Sequence, residues 1–133
     1  NLMNKHPYAS NRFIQAKSNL KNLVDIMKSE DLDGFVEIVE SEALSLHAMM
    51  MTSNPYFILF KPNTLSIIEK TWDLRKNKKI PICFTLDAGA NVHLLYPFEF
   101  KNIVKNFIED ELKEFCQNGQ YILDYVGVGA KKI

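Results

Sequence analysis

Residues 82–87, Ile82-Cys83-Phe84-Thr85-Leu86-Asp87, and residues 92–96, Val92-His93-Leu94-Leu95-Tyr96, are two short apolar runs separated only by Ala88-Gly89-Ala90-Asn91. Runs of this length are too brief for helices, and being apolar on both faces they belong at the centre of a sheet. So little chain lies between them that they must fold back on each other as a buried hairpin, which then requires helices to cover it. At its tip stands a solitary acid, Asp87. An acid at the edge of an apolar strand pair has to be solvated by a cleft, paired with a cation or bonded to backbone N–H groups.

The flanking sequence provides that cover. His6-Pro7-Tyr8 opens an amphipathic helix whose apolar residues Phe13, Ala16, Leu20, Leu23, Val24 and Met27 recur at intervals of three and four. Ser29-Glu30-Asp31 offers a cap, after which Phe35, Val39, Ala43, Leu46 and Met50 mark a second helix. Tyr56 to Phe60 reads as a short strand or extended segment closed by Pro62. Residues 63–79 read as a third helix, with Leu65, Ile68 and Trp72 as its apolar positions and the basic run Arg75 to Lys79 at its C-terminus. Pro97-Phe98-Glu99 leads into a fourth helix through Phe100, Ile103, Val104, Phe107, Leu112 and Phe115, stopped by Asn118-Gly119, and Tyr121 to Val128 is the last strand. The predicted fold class is α+β: an antiparallel sheet covered by helices, with a closing unit that resembles a ferredoxin-like layout lacking its first strand.

Composition narrows the function. The chain has 133 residues, 47% of them hydrophobic, enough for one domain with a real core. Sixteen basic and 16 acidic side chains cancel, which removes the electrostatic case for a nucleic-acid partner or an anionic membrane surface. No apolar stretch approaches the ~20 residues of a membrane span, and no leader pattern precedes the first helix. Cys83 and Cys116 lie far apart, with neither CxxC spacing nor a histidine pair, so no metal site or disulfide framework is signalled and a cytoplasmic setting is expected.

Other candidate chemistry is weaker than Asp87. The structural reading of that acid is an Asx-type turn, its carboxylate accepting the N–H groups of Ala88 and Gly89. His47 lies among Leu44, Leu46, Met50 and Met51 with no second ligand at i+4, and reads as a satisfied core or cleft-edge histidine. His93 sits inside a strand without metal-type spacing, and His6 reads as local. Ser41 and Ser45 flank no nucleophile elbow. Met49-Met50-Met51 reads as core filling, Arg75 to Lys79 as a solvated helix end, and Gly127-Val128-Gly129 as too little for a phosphate cradle.

The stretch Phe84-Thr85-Leu86-Asp87-Ala88-Gly89-Ala90-Asn91 resembles the DAGPN signature of the mevalonate diphosphate decarboxylase family, within the GHMP kinase superfamily. Glu42-Ala43-Leu44-Ser45-Leu46-His47-Ala48 resembles that family's preceding helix, in the matching order and at the matching separation. The opening His6-Pro7-Tyr8-Ala9 through Arg12-Phe13, the helix start Pro62-Asn63-Thr64 and the closing Gly127-Val128-Gly129-Ala130 extend the likeness over most of the chain. Ala90 departs from the family's usual proline. Kinases of the superfamily carry a glycine-rich GAGGG-type loop here, which makes the aspartate the discriminating residue.

The resemblance implies a ferredoxin-like GHMP kinase C-terminal domain, residues 1–133 forming one domain cut from a larger two-domain enzyme. It further implies ATP-dependent decarboxylation of mevalonate diphosphate to isopentenyl diphosphate. Asp87 would be the catalytic residue facing the tertiary hydroxyl, and Ala88 and Gly89 would bind substrate through their N–H groups. ATP and Mg2+ would be bound mainly by the N-terminal part, no residue here being a metal ligand, and this piece alone would be inactive. Core surface exposed by the cut gives the piece a route to a homodimer. Two alternatives remain at this stage: a GHMP-type small-molecule kinase lobe, and a non-enzymatic ferredoxin-like module in which Asp87 is only a turn residue.

Overall fold

A computed structural model describes residues 6–127. The hairpin is present. β1 (Cys83–Leu86) pairs antiparallel with β2 (Val92–Leu95), placing Cys83 opposite Leu95, Thr85 opposite His93 and Leu86 opposite Val92. Alternation divides the ribbon into two faces. Phe84, Leu86, Val92 and Leu94 pack into a core with Ala43 and Ile68, and Thr85 and His93 occupy the opposite face.

Helices α1 (Ala9–Ser29), α2 (Leu32–Met51) and α3 (Pro62–Lys78) follow the predicted order. The break between the first two falls at Ser29-Glu30-Asp31. Glu30 takes a left-handed conformation (φ 57°) that ends α1, and the Asp31 carboxylate accepts the Gly34 N–H at 3.0 Å to cap α2. A Cβ at position 34 would crowd that capping carboxylate and push the Asp31 side chain aside, so the glycine leaves the cap undisturbed. Pro62 suits the first turn of α3, where the Thr64 hydroxyl accepts the Lys61 N–H at 3.2 Å.

The fourth helix is not uniform. A 3-10 turn at Phe98–Phe100 leads into α4 (Lys101–Phe107), which widens to a π-helical turn over Ile108–Leu112 and tightens again at Lys113–Phe115. Asn118 and Gly119 then reverse the chain with positive φ, as their pairing predicts. Val104, Phe107, Ile108 and Leu112 pack against Leu74, Ile80 and Ile82 to form a second core cluster. The fold is therefore α+β, with a small antiparallel sheet covered by helices.

The structure corrects several sequence expectations. Residues 121–127 form no strand, and of the two readings of residues 56–60, a short strand or an extended segment, the strand is not taken; Val128 and the Gly129-Ala130 pair lie outside the described residues. A strand forms only where another strand takes up its backbone groups, and among the described residues the sheet ends at β1 and β2. Tyr121 is tied down by donating its hydroxyl to Glu109, beyond which Ile122, Tyr125 and Val126 stand in solvent. The apolar residues of α1 are also mostly outside: Leu20 and Met27 are 65% and 64% exposed, and only Ala9 is buried. On α3 the deeply buried positions are Thr64, Ile68, Thr71 and Leu74, whereas Leu65 and Trp72 are partly exposed.

Arg75 is not simply part of a solvated helix end. Its guanidinium holds the buried Glu40 carboxylate at both oxygens, at 2.6 and 3.0 Å, and donates to the Ile82 carbonyl at 2.8 Å. Trp72 Nε1 adds a hydrogen bond to Glu40 at 2.9 Å, and the Phe84 N–H of β1 reaches the same carboxylate at 3.3 Å. One side-chain cluster thus ties α2, α3 and the hairpin together.

Candidate functional site

Asp87 leaves β1 at the tip of the hairpin, and the backbone around it is clamped from two helices. His47 of α2, 2% exposed and stacked on Phe60 with ring centroids 4.4 Å apart, meets the Asp87 carbonyl through Nε2 at 3.0 Å. A carbonyl only accepts, so this ring nitrogen carries the proton. Thr64, buried at the start of α3, donates its hydroxyl to the Ala90 carbonyl at 3.0 Å. Side chains from two different helices therefore grip the two ends of Asp87-Ala88-Gly89-Ala90. Gripping the backbone leaves the Asp87 side chain free to project, and it is 77% exposed.

The turn is not of the Asx type. Gly89 N–H bonds to the Asp87 backbone carbonyl at 2.8 Å, and the Asp87 carboxylate instead meets His93 Nε2, Oδ2 lying 3.0 Å away. Among the described residues no acceptor takes the Ala88 N–H, so of the two amides expected to meet a substrate, Ala88's is the one unspent. A Cβ added at Gly89 would meet nothing within 4 Å. Local packing does not call for glycine there, and small residues at 88–90 keep the approach to Asp87 open.

The remaining candidates fall outside this tip. His6 is not local as the sequence suggested: buried, it bonds Thr52 at 2.9 Å, 46 positions away, and ties the residues ahead of α1 to the end of α2. Met49 and Met50 are buried, consistent with packing, whereas Met51 is exposed and does not fill the core. Between α1 and α2 lies a cleft of about 340 Å³ with apolar walls from Leu20, Leu23, Ile38 and Val39, reached by Asn19, Glu42 and Thr85. Burial acts to raise the Glu42 carboxyl, but hydrogen bonds from Arg12 and Asn19 and the Arg12 charge outweigh it and hold the group below its ordinary value. Among the described residues, no group of three or more His, Cys, Asp and Glu could hold a metal ion. Nor is any helix there long and apolar enough to cross a membrane.

Sequence reasoning placed Asp87 at the hairpin tip and gave the buried character of His47, and it missed the ties made by Thr64 and Glu40. The Pro62-Asn63-Thr64 start carried a usable signal for Thr64, since a hydroxyl at the third helical position caps backwards and can reach beyond its own helix. Glu40 had none, because nothing local distinguishes it from the exposed Glu37.

The α+β frame, with an acidic turn between two short strands gripped from two helices, agrees with the GHMP-type C-terminal domain that the resemblance implies. Residues 8–126 match the family model of the mevalonate 5-diphosphate decarboxylase C-terminal domain, and the chain belongs to that family. A mevalonate diphosphate decarboxylase from Legionella pneumophila is 30% identical and superposes with a TM-score of 0.77 over 84% of this chain and 35% of its own. The enzyme from Enterococcus faecalis shares the fold, with a TM-score of 0.76 at 24% identity, over 83% of this chain and 34% of its own. Phosphomevalonate decarboxylase of Haloferax volcanii is 25% identical over 99 residues, 74% of this chain and 31% of the relative. The chain thus spans about a third of the length of the relatives it matches.

Proposed function

We propose that this chain works as the C-terminal domain of a two-domain, ATP-dependent decarboxylase that converts mevalonate diphosphate to isopentenyl diphosphate. The observation that carries the reading is Asp87: an exposed carboxylate on a turn whose backbone is held by His47 and Thr64, in a chain of this family. Such a carboxylate can accept a hydrogen bond from the substrate's tertiary hydroxyl, orient it and take its proton as the oxygen becomes a nucleophile. The Ala88 N–H beside it can bind a substrate oxygen, and the small side chains of Ala88 and Gly89 admit the substrate to the backbone. ATP, when bound, supplies the phosphoryl group that turns the hydroxyl into a leaving group. ATP and Mg2+ are assigned mainly to the N-terminal part of the enzyme, as the resemblance to the family implies. The reading fits a cytoplasmic enzyme with reduced cysteines.

The test is turnover of the full-length polypeptide with ATP, Mg2+ and either mevalonate diphosphate or phosphomevalonate, followed as ADP and carbon dioxide release. Asp87→Asn should lower turnover about a hundredfold or more with folding intact and substrate binding only modestly weakened. Unchanged turnover would return Asp87 to a turn residue, and a preference for phosphomevalonate would move the substrate to the monophosphate.

A further inference from the structure

The Asp87 carboxylate has a partner that the family signature does not include. His93 stands on β2 directly opposite Thr85, two residues before Asp87, so the acid is its diagonal neighbour on the same face of the ribbon. Its Nε2 lies 3.0 Å from Asp87 Oδ2. We propose that His93 is a positioning residue for the decarboxylase reaction: it fixes the rotation of the Asp87 carboxylate, engaging one oxygen and presenting the other to the substrate hydroxyl. This inference rests on the function proposed above and adds to it the group that aims the acid.

The geometry supports a division of labour between two histidines. His47, buried, sets the position of the Asp87 backbone, and Thr64 does the same at the far end of the turn. Neither touches the carboxylate, which could otherwise turn freely about its side-chain bonds. His93 is the side chain that reaches it, from a strand rigidly paired through the register Thr85 to His93 and Leu86 to Val92. A carboxylate accepts and does not donate, so Nε2 must carry a proton in this contact. His93 and Asp87 are 51% and 77% exposed, and a pair so open to solvent adds little to stability. Loss of the pair should therefore leave the fold intact and appear in the chemistry.

In the full-length polypeptide, His93→Ala should lower kcat about tenfold or more, since a small misplacement of a reacting group is costly, while KM changes little. His93→Gln, whose side-chain amide can present an N–H to the same oxygen, should recover part of that loss. In the full-length polypeptide, the His93 ring nitrogen resonances should also move on Asp87→Asn, and those of His47 much less, because its partner is the backbone carbonyl. Undiminished kcat in His93→Ala, a change confined to KM, or a glutamine variant no better than alanine would each overturn the inference while leaving an active decarboxylase. Wild-type protein without turnover on either substrate would remove the decarboxylase reading and this inference with it.

Discussion

Glu40 shows how one side chain can join three elements. A carboxylate this deep in a fold persists only when its oxygens are satisfied, and here Arg75, Trp72 Nε1 and the Phe84 N–H all converge on it. Removing Arg75 leaves the charge buried without its main partner. Arg75→Ala should therefore cost about 3 kcal/mol, at the low end for a broken buried pair because the guanidinium is partly exposed, whereas Glu40→Met with Arg75→Met should recover much of it. Urea unfolding of the single and double variants reads the difference; equal losses in both would mean that packing, not the unpaired charge, dominates. None of this was legible in the sequence. Glu40 and Arg75 lie on different helices, and only their approach in three dimensions distinguishes them from the charged residues around them.

Among the elements, α1 and α2 are joined on their polar side by Arg12 and Asn19, both bonded to Glu42. Glu42 is held below its ordinary value of 4.5 in the folded chain, so near that pH the unfolded chain binds more protons than the folded one. Its contribution is complete above 4.5 and fades as the pH falls through the folded value. Solvent reaches a third of the side chain and screens part of the effect, so the change should be modest. Urea midpoints measured from neutrality down past 4.5 should fall less steeply in Glu42→Gln than in the wild type; identical slopes would remove Glu42 as the source. Helix positions and caps were readable in advance, because periodicity, Asp31, Pro62 and Asn118-Gly119 act within a few residues of themselves. The lack of a strand over residues 121–127 was not, since strand formation depends on a neighbour that the local sequence does not contain.

For the molecule as a whole, the two thiols report on different depths. Burial raises the Cys83 thiol to about 11, with the Glu40 charge adding to the rise, and the side chain lies at the centre of the fold. Cys116 is only partly buried, and burial raises it in the same direction. Alkylation near neutral pH should thus label Cys116 first and Cys83 only as fast as the whole domain opens. Equal labelling rates would show that β1 is reached by local fluctuation.

The sequence by itself determined the hairpin, the order and caps of the helices, and an acid at the hairpin tip, because strand and helix periods and turn chemistry are written in neighbouring residues. Tertiary structure alone decided what holds that acid. His47 lies 40 positions before Asp87, and Thr64 lies 26 before Ala90. It also decided that α1 keeps much of its apolar stripe in solvent and that Arg75 turns inward to Glu40. Amphipathic spacing states which residues share a face; what that face meets depends on distances set only when the elements pack.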